Sequence, residues 1–446
     1  MHPRVLIVGT IPYNPKESSR AFDAYFHYWE PENLAQVFSN TQMPIKGHCG
    51  TLYQITDYRL LQRWKGRKIK TGRIFNYEDL NNRSEKNDDN EEFSRSRGAY
   101  KFGANHTPLS HLLRRMLWRK KLWCTEEFDK WLDNFKPECV FLSFSYDFFI
   151  PQIADYISKK FNIPIVSSIA DDYYFNTYLS FNPLYYIYKY SYRSLIRSLL
   201  CKNQYAIYIS DKIKEKYNSH FHLIGETVYL TSVVKRKQFV PVDKKQPKIT
   251  YFGNIRMGRN HSLNDIGKAL QQINPDLKLE VYTAEKDLRI YKELLDNPNI
   301  VFGGMIPYSE VQDRLEASDV TVIVEGFKKS EIRYSRYSLS TKAADALASG
   351  AAILTYGSAD CGIVEYMLST EASFVCTDHS QLVSIIEEIL TNVDLQRKYY
   401  DSQIRMIEQH HNLSSSCSTF ETIVLEAIQN HRKNVKRQNS PFNSVL

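Results

Sequence analysis

The chain has 446 residues, about three times the ~150 residues of a common domain, so two packed domains are expected and one small module is excluded. With 43% hydrophobic and 24% charged residues, the balance is that of an ordinary globular chain. The net charge of +8 suits an anionic substrate, a lipid surface or nucleic acid, and the unusual feature is 31 tyrosines beside 23 phenylalanines and 5 tryptophans.

Cys49, Cys124, Cys139, Cys201, Cys361, Cys376 and Cys417 are scattered with no C-x-x-C pair, so neither a disulfide framework nor a metal site is expected and a reducing cytoplasm fits. The apolar run Val5–Val8 is too short for a signal-peptide core. No eighteen apolar residues run without a charge, so any membrane contact is expected to be peripheral.

In chain order, R-V-L-I-V-G at Arg4 to Gly9 reads as a buried parallel strand closed by glycine. Similar runs follow at Cys139 to Phe144, Pro164 to Ile169 and Tyr205 to Ser210, separated by helical stretches such as Ile150 to Phe161. That alternation predicts a parallel sheet with helices on both faces. The polar stretch 81–98 reads as a mobile loop within an N-terminal domain 1–235, and the charged, proline-bearing segment 236–247 reads as a linker. Strand patterns resume at Lys248 to Gly253, Lys278 to Thr283, Asp319 to Val324, Ala351 to Thr355 and Ser373 to Cys376, predicting a second doubly wound domain over 248–395. Helices over 396–434, packing back across the domains, and a frayed tail 435–446 complete the chain. Two such domains facing across a cleft place ligands at the carboxyl ends of their strands.

The second half concentrates anion-binding chemistry at three such ends. Ser340 and Thr341 read as a cap pair before Lys342 and Asp345, in S-T-K-A-A-D-A-L-A-S-G. At i, i+3, Lys342 and Asp345 share a helix face, where the lysine can meet a phosphate and the aspartate a ribose diol; a local surface ion pair is the competing reading. In Y-F-G-N-I-R-M-G-R, Gly253 lets the backbone approach a ligand, and Arg256 and Arg259 supply charge for a diphosphate. After Thr355, Gly362 allows a tight loop and Glu365 opens the next helix.

These residues resemble the donor domain of retaining glycosyltransferases of the GT-B fold, the group that includes many bacterial polysaccharide and lipopolysaccharide enzymes, over roughly residues 245–430. The resemblance implies two Rossmann-like domains and transfer of a sugar from a nucleoside diphosphate sugar, which is a co-substrate, no other cofactor being implied. It assigns Arg259 and Lys342 to the diphosphate, Asp345 to the ribose, and Gly362 with Glu365 to the sugar end. It also implies a glycan or polyprenyl-linked glycan acceptor in capsule, O-antigen or exopolysaccharide synthesis. The family's paired glutamates fall here on Tyr337 and Asp345, so the first acid is missing. A non-catalytic partner subunit and a GT-B sugar-nucleotide epimerase are the competing readings.

On the acceptor side, the loop after the first strand offers Gly9, Lys16 and Arg20, the two charges competing with a simple solvated role. Asp171 and Asp172 follow a strand, where one could orient an acceptor hydroxyl or take its proton; a helix N-cap is the alternative. Asp147 is a weaker candidate for the same work, and His106 and His111 rank below it. Residues 111–123 carry Arg114, Arg115, Arg119, Lys120 and Lys121 among leucines and tryptophans, and Tyr173 to Leu200 carries many tyrosines with basic residues and no acid. Both segments suit either an anionic membrane surface at the inner face of the cell membrane or ordinary core packing. No nucleic-acid recognition motif is present, so no nucleic-acid partner is expected.

Overall fold

The computed structural model describes residues 2–13, 20–41, 44, 47–82 and 107–438. Most of the polar loop 81–98, together with Lys16, His106 and the last eight residues of the tail, lies outside the described residues. The chain divides into two compact units, one made of Met1–Asn14, Tyr25–Thr227 and Cys417–Leu446, the other of Pro15–Ala24 and Val228–Ser416.

The first unit is built on β1 (Val5–Val8), β2 (Leu34–Phe38), β3 (Thr51–Ile55), β4 (Gly72–Asn76), β5 (Cys139–Ser143), β6 (Ile165–Ile169), β7 (Tyr205–Tyr208) and β8 (Ile224–Thr227). They form one sheet in the order β4-β3-β2-β1-β5-β6-β7-β8, antiparallel only between β3 and β4. Val5 pairs with Leu34 on one side and Cys139 on the other, so the strand order reverses direction at β1. Helices cover the faces because β1, β2, β6 and β7 are buried along their whole length. The C-terminal helix Leu413–Gln438 supplies Phe420, whose ring lies 4.9 Å from Phe26 and 5.4 Å from Phe141.

The second unit contains β9 (Ile249–Phe252), β10 (Leu279–Tyr282), β11 (Ile300–Gly304), β12 (Val320–Val324), β13 (Ala352–Tyr356) and β14 (Phe374–Cys376). Their order is β11-β10-β9-β12-β13-β14, all parallel, with the reversal between β9 and β12. One core of this unit gathers Tyr251, Leu263, Val281, Val322 and Leu354. Residues 236 and 237 run against it: Arg236 donates to the Leu347 and Tyr400 carbonyls at 2.7 and 2.9 Å, and the Lys237 amide donates to the Ser349 carbonyl. Both units are thus α/β with mainly parallel sheets, as the alternation of strand and helix patterns requires.

The tyrosine-rich stretch is largely interior. Tyr173, Tyr174, Tyr185, Tyr188 and Tyr192 are buried, and several hydroxyls serve the backbone. Tyr188 donates to the Tyr146 carbonyl at 2.9 Å, while the Tyr185 and Tyr217 hydroxyls accept from the amides of Tyr178 and Tyr174. An aromatic ring with a polar tip fills a core and satisfies an irregular loop at once. Of the two readings of this stretch, core packing holds for most of these tyrosines.

Candidate functional site

In the second unit the residues of interest stand at the β9/β12 reversal, where open parallel sheets bind ligands. Gly253 follows β9 with φ +132°, and a Cβ there would overlap Cε and Nζ of Lys342. The glycine is what lets Lys342, from the first turn of the helix Lys342–Ser349, cross the strand end. Its Nζ donates to the Tyr251 hydroxyl at 2.8 Å and stands 4.6 Å from the ring centre. Desolvation lowers the Lys342 pKa to about 7, with the Arg259 charge adding to the effect and Glu325 opposing it. The hydroxyl of buried Tyr251 in turn donates a hydrogen bond to the Asn254 carbonyl at 2.6 Å.

Arg259 begins the helix Arg259–Ile273 and is gripped by Glu325, the residue after β12. Its Nε and Nη2 donate to the two carboxylate oxygens at 3.1 and 2.8 Å. The Glu325 side chain is 4% exposed and the Arg259 side chain 16%, so this is a buried bidentate pair. Gly357 fits beneath Glu325, since a Cβ there would come within 2.9 Å of the glutamate's own. Gly253, Arg259 and Lys342 are therefore brought together, with Tyr251 and Glu325 joining them.

The other expected donor residues stand apart. Arg256 is tied to Glu285 by bonds of 2.5 and 2.9 Å on the exposed side. Asp345 is 5% exposed and accepts from Ser232 Oγ at 2.6 Å and the Tyr308 hydroxyl at 3.4 Å, so it and Lys342 reach different neighbours despite their spacing. Thr341 is the N-cap residue but makes no side-chain cap bond, whereas Ser340 Oγ accepts from the Lys342 amide at 3.4 Å. The expected cap pair thus reduces to a single long contact from Ser340. Gly362 starts the helix Gly362–Thr370, and a Cβ there would press on the Ser338 carbonyl at 2.8 Å; Glu365, in that helix's first turn, is exposed.

In the first unit, Gly9 ends β1 with φ +96°, and a Cβ would overlap the Ser143 carbonyl, so protein backbone accounts for this glycine. Arg20, which belongs to the second unit, opens the helix Arg20–Phe26. Asp172 closes a turn: its Oδ1 accepts from the Phe175 amide at 2.7 Å and the Tyr217 hydroxyl at 3.3 Å, and burial raises its pKa. Asp171 is half-buried on the same loop, and its carbonyl accepts from the Tyr173 amide.

Asp147 joins an ion cluster. It accepts from Arg114 Nη1 at 2.5 Å and pairs with His111 Nδ1 at 3.1 Å, while Arg114 also meets Asp57 at 3.1 Å. Burial pushes the Asp147 pKa up, but the contacts with His111 and Arg114 outweigh it and hold the carboxyl below its ordinary value. Trp118 donates to Asp57 at 2.5 Å and stacks on Phe149, and Trp123 is buried beside it. Core packing therefore claims both tryptophans and Arg114 of the 111–123 segment.

No family model matches the chain, and no curated protein matches it. Solved structures do. Anabaena HepE in complex with UDP and glucose aligns at 9% identity over 95% of this chain and 100% of its own, with a TM-score of 0.59. The E. coli trehalose-6-phosphate structure bound with UDP-2-fluoro glucose aligns at 10% identity over 96% and 99%, TM-score 0.58. Sucrose-phosphate synthase from Thermosynechococcus elongatus aligns at 13% identity over 98% and 100%, TM-score 0.55. The match to TarM spans 57% of that protein's chain, at a TM-score of 0.48. Likeness at such low identity shows the fold, and the chain has the GT-B fold of glycosyltransferases.

Proposed function

We propose that this chain is a glycosyltransferase that moves a sugar from a nucleoside diphosphate sugar to a hydroxyl of a glycan or polyprenyl-linked glycan. The reading extends to retention of configuration, no metal requirement, and work at the cytoplasmic face of a membrane during cell-surface polysaccharide synthesis. The observation that carries it is the meeting of Arg259 and Lys342 beside Gly253 at the β9/β12 reversal. That HepE was solved with UDP and glucose, on the same fold, supports the choice of donor class.

In this reading the leaving diphosphate gathers negative charge as the sugar departs, and two preplaced cations stabilise it. Glu325 takes Nε and Nη2 of Arg259, which leaves Nη1 to reach a phosphate oxygen in a fixed orientation. Lys342 binds the anion in its ammonium form, so donor binding draws a proton onto it. Asp345 serves the ribose once it gives up Ser232 and Tyr308, Ser340 and Thr341 frame the helix start, and Gly362 with Glu365 faces the sugar end. Arg256 stays as a secondary phosphate contact. On the acceptor side Asp171 or Asp172 orients the acceptor hydroxyl or takes its proton.

Purified protein incubated with a panel of nucleoside diphosphate sugars tests this. Nucleotide release dependent on a glycan acceptor is the expected result. Absence of both binding and release for every donor would favour the partner-subunit reading. Interconversion of the sugar nucleotide without acceptor would favour the epimerase.

A further inference from the structure

The helix Pro108–Leu117 turns Ser110 and His111 inward, yet its outer side is not polar. Leu109, Leu113 and Met116 are 46%, 43% and 49% exposed, at the i, i+4, i+7 spacing of a single stripe. The helix Pro183–Leu200, which meets this one, brings a second exposed apolar group: Leu179 and Phe181, almost wholly exposed ahead of it, and Ile187 and Tyr190 upon it. The two helices are joined by the His111 ring, stacked 4.7 Å from the ring of Tyr188. Protruding apolar side chains clustered in this way mark an interaction surface.

Charge identifies the occupant. No acidic residue occurs from Thr107 to Cys124 or from Tyr173 to Ser210. Arg115, Arg119, Lys120 and Lys121 are all exposed beside the stripe. A cavity of about 620 Å³ opens there, lined by Met116 of the stripe and by Arg115, Arg119, Lys120 and Lys159. Its one carboxylate, Asp155, is already paired with Lys159 at 2.5 Å. Two of the cations are steadied by rings beneath them, Arg115 at 4.6 Å from Phe148 and Lys120 at 4.3 Å from Tyr156.

We infer that this face of the first unit docks on an anionic phospholipid bilayer, with Leu113, Met116 and Phe181 entering the acyl boundary and the basic cavity taking a lipid phosphate. An apolar stripe bordered by cations of one sign fits such an interface, which gains from apolar burial and from charge together. No helix among the described residues is long and apolar enough to cross a membrane. The inference gives a location to the membrane contact in the transferase reading but does not depend on the donor site.

Vesicle flotation with the full chain tests it, using phosphatidylcholine alone and phosphatidylcholine mixed with phosphatidylglycerol. Wild type should float with the anionic vesicles and be released by salt. Leu113→Ser with Met116→Ser and Phe181→Ser should lower partitioning about tenfold, as should Arg115→Ala, Arg119→Ala, Lys120→Ala and Lys121→Ala combined. Circular dichroism and the urea denaturation midpoint should be unchanged in both, which shows that they fold. Wild type failing to float with anionic vesicles, or variants floating as well as wild type, would overturn the proposal. So would self-association that the apolar variant abolishes, which would make a second copy the occupant. Absence of binding of every nucleoside diphosphate to wild type would count against the donor reading and leave this one standing.

Discussion

Glu325 holds Arg259 by two charge-assisted hydrogen bonds, at 2.8 and 3.1 Å, at the carboxyl end of β12. Removing one partner leaves a buried charge uncompensated, whereas removing both does not. Arg259→Ala should therefore destabilise the second unit by about 3–5 kcal/mol, while Arg259→Met combined with Glu325→Leu should be near wild type in urea denaturation. Both should lose nucleotide binding, so the double variant separates the fold from the site.

Gly253 and Lys342 occupy one space, the lysine stem passing where a Cβ would be. Gly253→Ala should displace Lys342 and strain a backbone at φ +132°, costing about 1–3 kcal/mol of stability. Calorimetry with UDP should show at least tenfold weaker binding, about 1.4 kcal/mol. Lys342→Met should weaken binding at least as much with little loss of stability, because it removes a desolvated cation.

The Lys342 pKa near 7 gives a pH dependence with a definite sign. A bound diphosphate raises that pKa, so above about pH 8 binding should take up close to one proton and weaken up to tenfold per pH unit. Calorimetry in buffers of different ionisation enthalpy measures the uptake, and Lys342→Met should abolish it. For stability, the unfolded chain holds a proton on this lysine between pH 7 and 10.5 that the folded chain has lost. Its contribution to stability therefore rises with pH across that window.

Adjacent Asp171 and Asp172 should separate by assay. Asp172→Ala removes the bonds to the Phe175 amide and the Tyr217 hydroxyl and should cost about 1 kcal/mol of stability. Asp171→Asn should lower kcat with KM for the donor unaffected. An unchanged kcat would remove Asp171 from the acceptor side.

The strands that could be read from sequence are those whose buried runs are unbroken, such as Val5–Val8 and Val320–Val324. β2 and β3 were obscured because Gln36 and Gln54 interrupt them. Both are buried, and their amides donate to the Thr10 and Asn40 carbonyls at 2.9 and 2.8 Å, contacts that an apolar pattern cannot signal. In the candidate site, Gly253, Arg259 and Lys342 were legible as glycine and cations at strand and helix ends. Glu325 was overlooked, although an acid followed by glycine directly after the run V-T-V-I-V was a usable signal. The ion cluster of Arg114 with Asp57 and Asp147 joins residues 57 and 33 positions apart, so local reading leaves the segment open between surface and core.

Titration of UDP and the other nucleoside diphosphates into the wild-type chain and Lys342→Met, by calorimetry at pH 7, tests the central claim most directly. One site per chain, binding at least one of them and weakened tenfold or more by the substitution, is the result expected. No binding of any nucleoside diphosphate, or binding that Lys342→Met leaves unchanged, would contradict a donor site at Gly253, Arg259 and Lys342.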